Sequence, residues 1–349
     1  MAGAHVFTVR FHLGGNWPAN PYGLQGQGSL SLEPDAVTVR GRAHPSFRLP
    51  RRTEHRLRMA DILNVRTDGP DLRFDVEGVT GTVTLGCTLP DGAAARRLAA
   101  MLPARQTEAF AIAHARAAAE REAFHDRIDY WSPSTPVIWT LLVLNIGIYF
   151  LMWLTRPGAH GASMGSMVGW GMNSRIDDIV RSYQLVAWGS NVGRLTLGGQ
   201  WWRLVTSMFL HGSLLHIAFN MLALWQAGQL IERLFGSLRF ATLYMIAGVC
   251  GSLASVLWNP HVNSVGASGA IFGILGGLLA FIRREDSGVP QTIVKELRAS
   301  VLPFLLFNLM AGFLYPHTDN ACHLGGLVGG FLAGHLLARS LHVPAQRTA

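Results

Sequence analysis

The chain is poor in charged residues and in cysteine. Charged residues make up 14% of its 349 residues, and hydrophobic residues make up 49%. The three cysteines, Cys87, Cys250 and Cys322, lack the spacing of a metal site, so we expect no disulfide framework and no cofactor. Lysine is almost absent, and the net charge of +8 comes from arginine. Beside long apolar segments, this surplus is more typical of contact with anionic lipid headgroups than with nucleic acid, and we expect no nucleic-acid partner.

The apolar residues are concentrated after residue 135, in runs long enough to cross a lipid bilayer. The segment "TPVIWTLLVLNIGIYFLMWL", residues 135–154, carries no charge over the length that a hydrocarbon core of about 30 Å requires. Further helices are predicted at residues 213–232, 238–258, 268–282, 299–315 and 322–338. The sequence therefore predicts an α-helical membrane domain of six helices over residues 135–340, followed by a short cytoplasmic tail at 341–349.

The orientation of these helices is predicted from arginine. Arginines lie between the second and third helices, between the fourth and fifth, and after the last, which places those segments in the cytoplasm. The long loop between the first two helices also carries arginine, so the even number of helices and the short loops decide the orientation. The opening residues "MAGAHVFTVRFHLGG" have no apolar segment typical of a signal peptide. We expect a cytoplasmic N-terminus and an integral protein of a bacterial inner (plasma) membrane.

The first 105 residues are predicted to form a separate, mainly β, cytoplasmic domain. Apolar residues alternate with polar ones at Phe7, Val9 and Phe11, and again at 72–76 and 83–85. The segment "PDGAAARRLAAML" then predicts a helix with Asp91 as its cap. Strands closed by one C-terminal helix resemble a pleckstrin-homology (PH)-like barrel in shape. A helical linker at residues 106–134 is expected to join this domain to the membrane.

Polar side chains inside spanning segments are costly, so each is a candidate functional residue. Three of them lie on three different helices, each at a similar distance from the first arginine on the cytoplasmic side. Ser268 is 15 residues from Arg283, His323 is 16 residues from Arg339, and His216 is 17 residues from Arg233. At 1.5 Å per residue these spacings place all three groups roughly 22 to 26 Å above the cytoplasmic boundary. Packing alone does not explain a shared depth, and we expect the three groups to converge on one cavity that opens outward.

The residue types at this depth favour nucleophilic catalysis. A serine hydroxyl beside an imidazole is a nucleophile beside its general base, which indicates Ser268 and His323. His216 and Asn220 are four residues apart on one helix face, and both can donate to a developing oxyanion. Glycines recur every four residues on both catalytic helices, at Gly269, Gly273 and Gly277 and at Gly326, Gly330 and Gly334. Such stripes allow close helix packing and would bring Ser268 and His323 within reach of each other.

Four motifs at these residues resemble the rhomboid family of intramembrane serine proteases: "GASG" (266–269), "HGSLLHIAFN" (211–220), "HLGGLVGG" (323–330) and "WWR" (201–203). The resemblance covers roughly residues 135–340. It implies that Ser268, between Gly266 and Gly269, is the nucleophile, that His323 is its base, and that His216 and Asn220 assist the oxyanion. It also implies that His211 is mainly structural and that Phe272, commonly Tyr in the family, packs on His323. Arg203 is expected either to bind a headgroup or to cap backbone carbonyls.

Other classes of protein share some of these features. An α/β-hydrolase elbow needs G-x-S-x-G, but Ala270 replaces the second glycine. A zinc protease needs H-E-x-x-H, which "HGSLLH" does not provide. Cys322 is an alternative nucleophile, although adjacent helical positions point about 100° apart. A transporter would carry ionisable residues along a whole path. The main alternative to a protease of single-span membrane proteins is a catalytically silent rhomboid-like scaffold that binds membrane helices.

Overall fold

A computed structural model describes residues 5–12, 22–43, 50–78, 81–156, 175–314, 318–339 and 341. The chain divides into two compact units, Met1–Ala118 and Ala119–Ala349. Each unit has a hydrophobic core of its own. Nearly all of the expected C-terminal tail lies outside the described residues.

The first unit is built on a seven-stranded antiparallel sheet. Its strands are β1 (His5–Phe11), β2 (Leu24–Leu32), β3 (Ala36–Ala43), β4 (Arg51–Arg58), β5 (Ile62–Asp68), β6 (Asp71–Gly78) and β7 (Gly81–Thr88), in the spatial order β4-β3-β2-β1-β7-β6-β5. Side chains alternate between the two faces of a strand, and Val9, Phe11, Leu72 and Phe74 all fall on the buried face. The expectation of a mainly β N-terminal domain is confirmed.

Helix α1 (Gly92–Met101) follows the last strand. The carboxylate of Asp91 accepts a hydrogen bond from the Ala94 amide at 2.7 Å, so the predicted cap is confirmed. The helix buries Ala95 and Leu98 in the core of the sheet domain. Helix α2 (Glu108–Trp131) comes next and crosses the boundary between the units. Near its end, Phe124 and Ile128 belong to the core of the second unit.

The second unit is helical. Its remaining helices are α3 (Pro136–Leu154), α4 (Arg175–Trp188), α5 (Gly193–Leu197), α6 (Arg203–Thr206), α7 (Leu214–Phe235), α8 (Ser237–Trp258), α9 (Ser268–Ile282), α10 (Gln291–Leu314) and α11 (Asn320–Leu337). Five of the six helices predicted as membrane spans agree with these bounds to within three residues. The start of the other was wrong: α10 begins at Gln291 rather than residue 299, because its polar first turns are helical as well.

Three of the described helices are long and apolar enough to cross a membrane: α3, α7 and α8. Helix α9 is apolar but shorter, with 15 residues. Helix α10 carries Pro303 in its interior, and α11 begins with the polar residues Asn320 and His323. The count of six spans therefore stays a prediction.

A buried carboxylate ties three of these helices together. Glu232, near the end of α7, is fully buried and accepts hydrogen bonds from the backbone amides of Val137 at 3.0 Å and Ile138 at 2.8 Å. It also accepts one from the Ser237 hydroxyl at 2.7 Å, at the start of α8. The first amides of a helix have no partner inside the helix, and the side chain of Thr135 at the N-cap position of α3 makes no capping hydrogen bond, so Glu232 supplies the cap.

Candidate active site

A tight turn places Ser268 at the first position of α9. Gly266 has a φ of +121°, a backbone conformation open mainly to glycine, and its amide donates to the carbonyl of Ser207 at 2.9 Å. A Cβ at this position would lie 2.8 Å from Nε2 of His216. The glycine therefore allows the His216 ring to lie directly against the turn that precedes Ser268.

His323 lies in the first turn of α11, and that turn is held by a capping carboxylate. One oxygen of Asp319 accepts from the Cys322 amide at 3.0 Å. The other accepts from the hydroxyl of Ser255 on α8 at 2.5 Å. The cap satisfies an otherwise unpaired amide and also attaches the start of α11 to its neighbour. The backbone that carries His323 is therefore fixed from two sides.

Ser268 and His323 meet across two helices. Nε2 of His323 lies 2.9 Å from Oγ of Ser268, which is hydrogen-bond distance. The ring of Phe272 lies parallel to the imidazole, with centroids 4.4 Å apart and an interplanar angle of 5°. Nδ1 of His323 is buried and has no hydrogen-bond partner among the described residues. Stacking on Phe272, rather than a carboxylate, therefore orients the imidazole.

Helices α9 and α11 pack closely because the residues at their points of contact are glycines. A Cβ at Gly326 would lie 2.0 Å from the carbonyl oxygen of Gly269, and one at Gly330 would lie 2.0 Å from that of Gly273. Neither distance is possible for a real carbon atom, so the two backbones lie closer than any other residue at these positions permits. This packing carries the first turns of both helices, and so Ser268 and His323, to their observed separation.

His216 and Asn220 lie on the first two turns of α7. Ser213 caps this helix by accepting from the His216 amide at 3.2 Å. The amide group of Asn220 donates one hydrogen to the His216 carbonyl at 2.9 Å, which leaves its second hydrogen for another acceptor. No hydrogen bond joins Asn220 to Ser268 or His323 among the described residues. His211 is fully buried and packs edge-on against His216, with centroids 5.1 Å apart.

Arg203 caps backbone carbonyls. It is buried, and its guanidinium donates to the carbonyls of Val186 at 2.8 Å and Ser190 at 2.9 Å, and to the side chain of Gln200 at 2.7 Å. It also lies over the Trp202 ring. Of the two expected roles, the structure favours the capping of backbone carbonyls. This capping holds the end of α4 and the loop after it in place.

Cys322 is adjacent to His323 in sequence but faces another direction. Its sulfur would lie 2.6 Å from a Cβ at Gly269 and 3.1 Å from one at Gly251, so it occupies the space between α8 and α9 that these glycines leave. This position is that of a small packing residue.

Two residues near the site were missed in the sequence analysis: Asp319 and Ser255. The signal for Asp319 was present, since an aspartate directly before an apolar helix is a typical cap. No sequence signal marks Ser255, because its partner is 64 residues away.

The helical unit also matches known proteins. A family model described as "Rhomboid domain" matches residues 198–340. The chain is 43% identical over 153 residues to "Rhomboid protease GluP" of Bacillus subtilis (strain 168), a match that covers 44% of this chain and 29% of that protein. It is 39% identical over 150 residues to "RHOMBOID-like protein 5" of Arabidopsis thaliana, covering 41% of this chain and 46% of the relative. These two relatives are thus covered over less than half of their length.

A smaller relative is covered more completely. "Putative rhomboid protease YdcA" of Bacillus subtilis (strain 168) is 32% identical over 160 residues, which is 44% of this chain and 78% of that protein. The family match contains Ser268, His323, His216 and Asn220, and it begins well after the sheet domain.

Proposed function

Because the chain belongs to the rhomboid family, we propose that this integral membrane protein is a serine endopeptidase that cleaves single-span membrane proteins within the bilayer. The observation that carries the proposal is the hydrogen bond between Ser268 and His323, which joins two side chains 55 residues apart inside an apolar helical bundle. A half-buried hydroxyl hydrogen-bonded to an imidazole is the minimum arrangement for nucleophilic acyl transfer.

The chemistry proceeds in two steps. Nε2 of His323 accepts the proton of Ser268 as Oγ forms a bond to the scissile carbonyl carbon. The tetrahedral intermediate collapses, the C–N bond breaks, and the leaving amine takes the proton from His323. A water molecule, deprotonated by the same imidazole, then attacks the acyl-enzyme ester. The bond between the acyl carbon and Oγ of Ser268 breaks, His323 returns the proton to Oγ, and the second product leaves as a carboxylic acid. Phe272 keeps the ring plane constant through these proton transfers.

His216 and Asn220 are proposed to stabilise the oxyanion. The position of His216 against the turn before Ser268, and the second amide hydrogen of Asn220, support this role. Loss of one oxyanion donor typically slows catalysis by about 10² to 10³. Asn220→Ala is therefore expected to be slow but active, and a wild-type rate would show that Asn220 only holds its own helix.

The substrate is proposed to be a membrane helix cut near the outer face of the bilayer. A helical backbone hides its carbonyls, so segments with small, helix-destabilising residues should be cut preferentially. We also propose a bacterial inner membrane as the location and a cytoplasmic N-terminus; arginines on the loops after α7 and α9 support the orientation. The seven-stranded order with one C-terminal helix supports a PH-like fold for the first unit.

The first readout of the test uses a phosphonylating reagent that needs no known substrate. The purified protein is treated with a fluorophosphonate, which reacts with activated serines, and the labelled peptide is identified by mass spectrometry. We expect label on Ser268, no label in Ser268→Ala, and parallel loss of cleavage of a single-span substrate in that variant. Ser300→Ala, which removes an exposed serine of α10, is the control and should behave as wild type. Cleavage that persists in Ser268→Ala would overturn the proposal and restore Cys322 as a candidate.

A further inference from the structure

The helix that carries His323 packs against α8 and α9 through small residues. Five contact points each join two residues with small side chains: Gly325 with Ala254 and Gly329 with Cys250 towards α8, and Gly326 with Gly269, Gly330 with Gly273 and Gly334 with Gly277 towards α9. Such contacts fix the distance between two helices, because a closer approach is blocked. They resist sliding along the helix axis only weakly, since no large side chain interlocks at these points.

Sliding of α11 along its axis would separate the two proposed catalytic residues. A helix advances 1.5 Å per residue, so a slide of less than one residue moves His323 by about 1 Å relative to Ser268. Nε2 of His323 lies 2.9 Å from Oγ of Ser268, and a hydrogen bond of this kind tolerates only a few tenths of an ångström. Catalysis by this pair therefore requires a contact that fixes α11 along its axis.

The hydrogen bond between Ser255 and Asp319 lies at the level where such a contact is needed. Asp319 lies one turn before His323, and Oδ2 of its carboxylate accepts from the Ser255 hydroxyl at 2.5 Å. Oδ1 of the same carboxylate caps the Cys322 amide, which attaches the side chain firmly to the first turn of α11. Ser255 is 2% exposed. Buried polar contacts of this type can select one alignment among packed helices that fit together in several ways.

Helix α8 is also attached to the turn that precedes Ser268. One turn before Ser255, the carbonyl of Ser252 accepts a hydrogen bond from the side-chain amide of Asn191 at 2.8 Å. Asn191 is fully buried and pairs with Ser264 in a short antiparallel two-stranded sheet. Ser264 lies four residues before Ser268. The segments that carry the two catalytic residues are therefore both hydrogen-bonded to the same part of α8.

The polar contacts at the opposite end of α11 are of a different kind. Arg284 donates to two carbonyls at the end of α11, at 3.4 and 3.5 Å, and Arg339 donates to the carbonyl of Leu234 at 3.2 Å. These guanidinium groups are carried by long, flexible side chains, and they lie about 18 Å or more along the helix from His323. They tolerate displacements of the first turn that the short side chains of Ser255 and Asp319 do not.

We propose, on the premise that the protein is a serine protease, that Ser255 and Asp319 are positioning residues. Their hydrogen bond fixes α11 along its axis and thereby sets the height of His323 beside Ser268. A hydrogen bond to a charged group shifts an equilibrium by about ten- to 100-fold. Without it, α11 populates displaced positions, and the reaction rate falls with the fraction of molecules in the competent one.

Four variants separate this role from general stabilisation. Ser255→Ala removes the tether and keeps the cap on Cys322, whereas Asp319→Ala removes both. Asp319→Asn retains both, because its amide oxygen accepts from the Cys322 amide and its NH₂ group donates to the Ser255 hydroxyl. Ser252→Ala is the matched control: it is the same substitution one turn away, at a residue 4% exposed, and its hydroxyl lies 3.4 Å from that of Ser207 rather than against α11.

The kinetic readouts are the rate of fluorophosphonate labelling of Ser268 and the kcat and KM for a single-span substrate. We expect Ser255→Ala to label about tenfold more slowly, with a lower kcat and an unchanged KM, because the reacting atoms are misaligned while the substrate binds as before. Asp319→Ala should be at least as slow, whereas Asp319→Asn and Ser252→Ala should remain close to the wild type. Thermal stability should fall in both serine variants, so stability alone would not explain the difference in rate.

Hydrogen exchange gives a readout that does not depend on protease activity. Amides in the first turn of α11 should exchange faster in Ser255→Ala and at the wild-type rate in Ser252→Ala. Wild-type labelling and exchange in Ser255→Ala would overturn the positioning role alone. An Asp319→Asn protein as slow as Asp319→Ala would also overturn it and would assign the carboxylate an effect of charge. A wild-type protein that neither labels nor cleaves would refute the protease function itself, and the proposal with it.

Discussion

Gly326→Ala is expected to inactivate the protein by separating Ser268 from His323. The added Cβ would lie 2.0 Å from the carbonyl oxygen of Gly269 and 2.7 Å from its carbonyl carbon. Both of these atoms belong to rigid helical backbone, so neither can move aside as a flexible side chain could. A contact of about 3.5 Å requires α11 to move away from α9 by roughly 1.5 Å at this level.

The displacement acts directly on the reacting atoms. Gly326 lies one turn after His323, so most of the movement reaches the imidazole, and the 2.9 Å hydrogen bond to Ser268 would lengthen to about 4 Å. At that length the hydrogen bond is lost. A misplacement of about 1 Å in an active site costs on the order of 10² in rate. We expect fluorophosphonate labelling of Ser268 to slow by about that factor.

Two further variants distinguish this effect from general damage. Gly334→Ala overpacks the same interface, with its Cβ 2.4 Å from Cα of Gly277, but lies about 16 Å along the helix from His323. Gly147→Ala in α3 places its Cβ in open space. Both Gly326→Ala and Gly334→Ala should lower thermal stability, but only the former should slow labelling strongly, and Gly147→Ala should change neither. A Gly326→Ala protein that is folded and labels at the wild-type rate would refute the reasoning.

Three other results are expected. The labelling rate should fall once the medium is acidic enough to protonate His323, because only the neutral imidazole accepts the Ser268 proton; a rate that rises with acidity would exclude a histidine base. Burial raises the pKa of the Cys87 thiol to about 12, so this residue should resist maleimide at pH 8 in the folded protein and react after denaturation in urea, as read by peptide mass spectrometry. A chain that begins at residue 119 retains Phe124 and Ile128 of the helical core and should still cleave substrate in detergent; a truncated protein that folds but cannot cleave would mean that the sheet domain is needed for catalysis.

Periodicity and composition predicted the parts of this fold that depend on one segment at a time. Uncharged runs predicted the apolar helices, and alternation predicted the strands that bury Phe74 and Leu85. The shared depth of Ser268 and His323 predicted that the two side chains lie within reach of each other. The glycine stripes explained how their two helices come close enough. The roles of these two residues in catalysis stay predictions.

Contacts between distant segments could not be predicted in the same way. Burial periodicity shows which side of a helix faces the protein but not which residue it meets, so the pairing of Asp319 with Ser255 had no signal. Arg203 illustrates the same limit: its charge was compatible with a lipid or with backbone carbonyls, and only the folded position of Val186 and Ser190 decides between them. The register of the sheet, in which Arg42 of β3 lies opposite Arg52 of β4, likewise depends on how these two strands pair.

The cap on α3 has a consequence for biosynthesis. The amide of Val137 is separated from the Glu232 carboxylate by 95 residues. A ribosome that adds about 5 to 20 residues per second needs roughly 5 to 19 s to make that stretch. For this period the first apolar helix leaves the ribosome with exposed amides at its start, and it can reach its final, fully hydrogen-bonded state only after α7 has been synthesised and inserted beside it.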